Sequence, residues 1–439
     1  DDFCINILDT PGHQDFSEDT YRTLMAADSA GMVIDASKGV EAQTIKLFKV
    51  CVMRHIPIFT FINKMDREAR DSFELLDDIE SVLGIRTCPV NWPIGSGKRF
   101  KGIYDRRAKT VRTFESVSTG GAKSAAETDY DINDPALKEL ATEELYDQLI
   151  DEIELLDGAS DPLDLEQVQK GELSPVFFGS ALTTFGVETF LKYFLEMTTS
   201  PLPRMSNEGE IDPLTNDFSA FVFKIQANMN KAHRDRIAFL RICSGKFQAD
   251  KEVFHVQSGR KLRLSQPQQI MAQDRQVISE AYAGDVIGVF DPGLFSIGDT
   301  ITMPGSKFEY EGIPTFAPEH FARVIQLNSM KRKQFVKGIT QIAQEGAIQI
   351  FQEYTAGMSE IIVGVVGVLQ FDVLKYRLEN EYGCEIRLES LPYGFIRWVG
   401  DPTTDVTKLK RMNNVKAVKD MKGNPLLLFV NNWMIRMEL

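Results

Sequence analysis

The chain has 439 residues, 43% hydrophobic and 26% charged, which is too long for one hydrophobic core and ordinary for a globular protein of about three domains. A net charge of −14 excludes a simple nucleic-acid binder, because phosphate contacts need a basic footprint, so any such contact must be local. The cysteines (4, 51, 88, 243 and 384) and histidines are scattered without metal-ligand spacing. No secretion signal is legible, and the longest apolar run, Ile361–Leu369, is too short to span a bilayer. A reduced, cytosolic monomer with no membrane partner is expected.

The apolar run Phe3–Leu8 predicts one buried strand, and Ser17-Glu18-Asp19-Thr20 predicts a helix opening with Ser17 as its oxygen cap. Between them lies Asp9-Thr10-Pro11-Gly12-His13-Gln14-Asp15-Phe16. Open α/β sheets bind ligands where a strand ends and a helix begins. An acid there can hold magnesium, directly or through water, and a glycine three residues on lets a backbone N–H approach a phosphate. Alone, the pattern also fits a Pro-Gly turn. Next come a second strand, Gly31–Asp35, a helix from about Glu41 to Met53 with Ile45, Phe48 and Val52 on one side, and a third strand, Ile56–Ile62. Such alternation means parallel crossovers with helices on both faces.

The third strand runs into Asn63-Lys64-Met65-Asp66. A carboxylate on Asp66 can accept both N1–H and N2–H₂ of guanine, a donor pair adenine lacks. Asn63 can donate towards the base and tie neighbouring loops, and the Lys64 stem can cover a ring face. A fourth apolar run, Pro175–Phe178, ends in Gly179-Ser180-Ala181-Leu182 before a helix from about Val187 to Met197. Its small residues would let a backbone N–H, that of Ala181, reach guanine O6. The two loops are separated by far more chain than one crossover needs, so residues 98–170 read as an insertion with a glycine- and serine-rich patch and a helix from Pro135 to about Leu156. Gly95-Ser96-Gly97-Lys98 is rejected as a phosphate loop, since Trp92 and Arg99 stand where a glycine and a Ser/Thr are required. No G-x-x-x-x-G-K-[ST] occurs at all. The phosphate cradle is therefore expected one β-α-β unit ahead of Asp1.

After the stiff Pro201-Leu202-Pro203 the pattern becomes β. Runs at 218–225, 236–242, 252–256, 261–264, 283–289 and 298–301, with turns between them, predict a small barrel over 204–312. From 313 to 439 the order is strand (321–327), helix (331–344), strands (347–351, 360–366), helix (368–381), strand (384–388). That is a ferredoxin-like split β-α-β unit. A tail with signals at 395–399, 406–412 and 426–430 follows. Basic residues cluster at Lys331-Arg332-Lys333 with Lys337, and at Lys231, Arg234 and Arg236.

Asp9-Thr10-Pro11-Gly12-His13, then Asn63-Lys64-Met65-Asp66, then Ser180-Ala181-Leu182 resembles the loop order of the translational GTPases. The resemblance implies a multidomain protein with a P-loop-type GTPase (G) domain over 1–203, a translation-factor barrel and a ferredoxin-like domain. It implies GTP/GDP and Mg2+ as ligands, Asp9 holding the metal through a water, the Gly12 N–H sensing the γ-phosphate and His13 orienting the attacking water. Wording such as Ser17–Leu24, Asn91-Trp92-Pro93-Ile94-Gly95, Phe223–Met229 and Val365–Asp372 is similar to the branch that works in translation termination. That branch implies the ribosome as partner and class-I, codon-reading release factors as indirect ones. Elongation-factor-G-like translocases continue into two further domains, and no second unit of that size follows here. A translocase or ribosome-protection GTPase, and a non-catalytic ribosome-binding module if the phosphate loop is absent, remain the competing readings.

Overall fold

The structure is a computed structural model that describes residues 3–10, 17–119, 122–227, 236–271, 274–313, 315–353, 357–400, 404, 406 and 414–438. It divides into two compact units, Ala27–Ser200, and Asp1–Ala26 together with Pro201–Leu439.

The first unit is built on a parallel sheet in the order Ala30–Asp35, Ile58–Asn63, Leu173–Phe178, Arg86–Pro89. Ile58–Ile62 is buried on both faces, and Phe59, Phe61 and Phe177 pack against Tyr193 and Met197 of helix Val187–Met197. The buried hydroxyls of Thr60 and Ser174 satisfy each other at 2.7 Å. Helix Ala42–Met53 buries Phe48, Val50 and Cys51, whereas Val52 is 43% exposed, so its inward face is rotated from the expected one. Strand Arg86–Pro89 gave no signal in the sequence. At four residues, opening on an exposed arginine, it carries too little pattern to register.

The region read as an insertion over residues 98–170 is joined by a strand just before it. Asn91–Ile94, Gly102–Asp105, Thr110–Thr119 and Ala122–Asp131 form a four-stranded antiparallel sheet, and the serine-rich patch falls in its last hairpin. The helix expected from Pro135 is two helices, Pro135–Ala141 and Glu143–Ala159. Thr142 stands between them at φ 72°, a conformation no α-helix interior can hold.

In the second unit, eight strands between Ser219 and Thr302 make one antiparallel sheet around a core of Phe218, Val222, Leu240, Ile287 and Ile301. The C-terminal sheet runs Ile386–Leu391, His320–Gln326, Gly357–Val365, Gln349–Glu353, the ferredoxin-like order. Helices Arg332–Gln344 and Leu369–Asn380 cover it through Phe335, Ile339, Leu374 and Leu378. The tail extends the same sheet with Val415–Lys419, Pro425–Phe429 and Phe395–Trp398. Most of the signal at 406–412 lies outside the described residues, as do Lys231 and Arg234. Arg236 is no surface cation: it is buried and paired with Asp291 at 2.6 Å.

Phe3–Leu8 is not a buried strand. Phe3 and Ile7 are 69% and 80% exposed, and no strand among the described residues pairs with them. An apolar run without a hydrogen-bonding neighbour gains no ladder to bury it. Helix Ser17–Ala26 follows, in the same unit as the C-terminal half. Its Arg22 pairs with Glu18 at 2.5 Å, both almost fully buried, and donates to the carbonyls of Glu345 and Gly346. Lys224 meets Asp19 at 2.9 Å, and Arg377 joins Glu345 and Glu381. Burial pushes the Glu18 carboxyl up against the opposing pull of Arg22.

Removing one partner of a buried pair strands the other charge. Arg22→Met is therefore expected to cost this unit about 3–5 kcal/mol in urea unfolding, and adding Glu18→Gln should recover much of it.

Candidate functional site

The middle strands of the parallel sheet end side by side and deliver two loops to one edge. Asn63 closes the first strand, and its side-chain Oδ1 accepts from two backbone N–H groups, Lys64 and Ala181, each at 2.8 Å. Met65 N–H donates to Gly179 O at 3.1 Å and Gly179 N–H to Ile62 O at 3.0 Å, so the loops are stitched by backbone as well. Gly179 cannot be larger, since a Cβ there would sit 2.5 Å from Phe185 O and 2.7 Å from the Phe61 ring.

Ser180 is fully buried, and its hydroxyl donates to Asp66 Oδ1 at 2.6 Å. That bond fixes the direction of the carboxylate, leaving it an acceptor for paired donors such as guanine N1–H and N2–H₂. Met65 is 1% exposed, so its side chain anchors the loop from below. Leu182 is 62% exposed. The Ala181 N–H expected to meet guanine O6 is engaged by Asn63 in this arrangement.

Lys64 turns the chain at φ 72° and sends its ammonium to Asp35 Oδ2 at 2.6 Å, drawing its stem across the ends of two neighbouring strands. Sequence reasoning did not single out Asp35. The parallel register sets Asp35 directly beside Asn63, a pairing that only the folded sheet displays. Desolvation pushes the Asp35 carboxyl up, but hydrogen bonds from Lys64 and from the Ser37 hydroxyl and N–H outweigh it and hold the group well below the usual carboxylate range.

Of the opening loop, Asp9 is exposed and Thr10 half-buried, while Pro11, Gly12 and His13 lie outside the described residues. Among the described residues no group of three His, Cys, Asp or Glu side chains could hold a metal ion.

A parallel sheet whose carboxyl edge carries these two tied loops, followed by a barrel and a ferredoxin-like domain, defines a translational GTPase architecture. Residues 1–200 match the elongation factor Tu GTP binding domain, 217–303 match elongation factor G domain 2, and 310–438 match the class II release factor RF3 C-terminal domain. The chain is 56% identical over 432 residues to peptide chain release factor 3 of Symbiobacterium thermophilum, covering 98% of this chain and 81% of that one. Against the same factor of Acaryochloris marina it is 52% identical over 429 residues, covering 98% and 79%. A crystallised Thermus thermophilus protein shares the fold, with a TM-score of 0.67 at 22% identity over 89% of this chain and 60% of its own. The chain belongs to the peptide chain release factor 3 family.

The depressed Asp35 carboxyl sets a pH dependence. Its stabilising contribution is complete above the unfolded value of 3.8 and is lost as pH falls through the lower folded value. Asp35→Asn should therefore lower stability at neutral pH and flatten the loss on acidification below that range, as read by urea unfolding across pH.

Proposed function

We propose that this protein is the GTPase switch of translation termination. It binds GTP, hydrolyses it to GDP and phosphate when stimulated by the ribosome, and promotes departure of codon-reading release factors once the peptide is released. The observation that carries the reading is the tie between Asn63, Ser180 and Asp66, a guanine-directed carboxylate in a chain of the release factor 3 family.

In this reading Asp9 holds magnesium through a water, and the Gly12 N–H meets the γ-phosphate, ordering the loop with GTP and freeing it after hydrolysis. His13 orients the water whose oxygen forms the new bond to the γ-phosphorus as the bond to the bridging oxygen breaks. Ribosomal RNA supplies the charge complement that draws His13 inward. The loop leads directly into helix Ser17–Ala26, whose buried Arg22 holds it to the Glu345–Gly346 turn, so loop order has a physical route to the C-terminal half. In a chain of net charge −14, the exposed Lys331, Lys333 and Lys337 are the local contact proposed for RNA.

On purified ribosomes halted after peptide release, GTP and this protein should speed dissociation of a labelled codon-reading release factor. Faster translocation without that effect, or binding without hydrolysis, overturns the reading. His13→Ala should cut ribosome-stimulated hydrolysis by about 10²–10⁴-fold while GTP affinity stays nearly unchanged, and loss of both together would sink the role given to His13. Asp66→Asn should move preference from guanine towards xanthine nucleotides, measured by competition binding.

A further inference from the structure

Gly95-Ser96-Gly97-Lys98 cannot be a phosphate loop, yet the fold gives the segment that contains it a defined place behind the base-reading loops. Strand Asn91–Ile94 is buried throughout. The Asn91 side chain clamps the backbone of Phe178, accepting from its N–H at 2.6 Å and donating Nδ2–H to its carbonyl at 3.1 Å. Phe178 is the last residue before Gly179-Ser180-Ala181. Six residues after Asn91, the Gly97 N–H donates to the carbonyl of Met65 at 2.9 Å, between Lys64 and Asp66. Gly97 has φ +59°, and a Cβ there would lie 2.8 Å from Glu68 Oε1 and 3.2 Å from the Glu68 backbone nitrogen. Trp92 anchors the same segment, its indole N–H donating to Glu152 of helix Glu143–Ala159 at 2.7 Å.

One short segment thus touches both loops from behind, at the residue preceding one and within the other. The 2.6 Å contact between Ser180 and Asp66 depends on the separation of those loops. A hydrogen bond of that length tolerates only small displacement before the carboxylate turns. We propose that Asn91 and Gly97 are positioning residues for guanine recognition: together they set the spacing of the Asn63–Asp66 and Ser180–Ala181 loops and hence the direction of the Asp66 carboxylate. This inference rests on the guanine-nucleotide reading and goes beyond it by assigning the bracing segment.

The test is binding of GDP and of IDP, which lacks the 2-amino group, by the full-length protein and its variants. A base-positioning error weakens two carboxylate contacts to GDP, N1–H and N2–H₂, but only the N1–H contact to IDP, so GDP loses more affinity and the preference for GDP over IDP falls. Gly97→Ala is expected to lower the GDP-to-IDP affinity ratio about tenfold. Asn91→Asp keeps the acceptor for the Phe178 N–H but turns a donor into a repulsion, and should lower the ratio by a smaller factor. Adding Glu68→Ala to Gly97→Ala removes the nearest clash and should restore part of the ratio, though the left-handed backbone and the Glu68 nitrogen remain. If Gly97→Ala does not fold, Asn91→Asp and the double variant carry the test. Folded variants with an unchanged ratio overturn the inference, as does an equal loss for both nucleotides, which marks a merely structural role. Wild-type protein without GDP preference overturns the guanine reading itself.

Discussion

The tie between the two loops is centred on one side-chain oxygen, reinforced by backbone bonds from Met65 and Gly179. Asn63 Oδ1 accepts from Lys64 N–H in its own loop and from Ala181 N–H in the next, binding two chain segments more than a hundred residues apart at the ends of adjacent strands. Each such bond contributes only about 1 kcal/mol net, but the larger effect is geometric. Parallel strands are joined by long crossovers, so no local turn can hold their ends in register. Here the tie is made by an amide that cannot ionise, and it stays the same at any pH the fold survives. Asp66 then has a fixed neighbour in Ser180, and a flexible carboxylate becomes a directed acceptor.

The parts of this fold legible in the sequence are those whose information is local. Asn63–Asp66 is a chemical motif at the end of a buried strand, the barrel alternates, and the ferredoxin-like unit shows clear changes of period. What was not legible is pairwise. Asp35 matters because register sets it beside Asn63, and Asn91 matters because it reaches Phe178. Neither relation leaves a trace at the residue itself. Arg86–Pro89 is too short to have a period, and Thr142 breaks a helix through a backbone angle that threonine does not advertise. Phe3–Leu8 failed for the opposite reason. Its local signal was strong, but a strand is a property of two segments, and no second one is present among the described residues.

The charged contacts around helix Ser17–Ala26 belong to the same class of pairwise constraint but act differently. Arg22, Glu18, Glu345 and Arg377 are largely removed from water and paired with one another or with Glu381, but Arg22 Nε is buried without a hydrogen-bond partner. Burial pushes the carboxyls of both Glu18 and Glu345 up, even with an arginine beside each. A carboxyl raised in the folded state weakens that state when ionised, and the deficit is relieved only as pH falls through the raised value. Buried ion pairs of this kind specify where the helix goes more than they add to net stability. The two regions are held by different kinds of bond. The edge that carries the two loops combines the neutral Asn63 amide tie with charge-assisted contacts, Ser180 to Asp66 and Lys64 to Asp35, whereas helix Ser17–Ala26 is placed by buried ion pairs whose desolvation offsets much of their attraction.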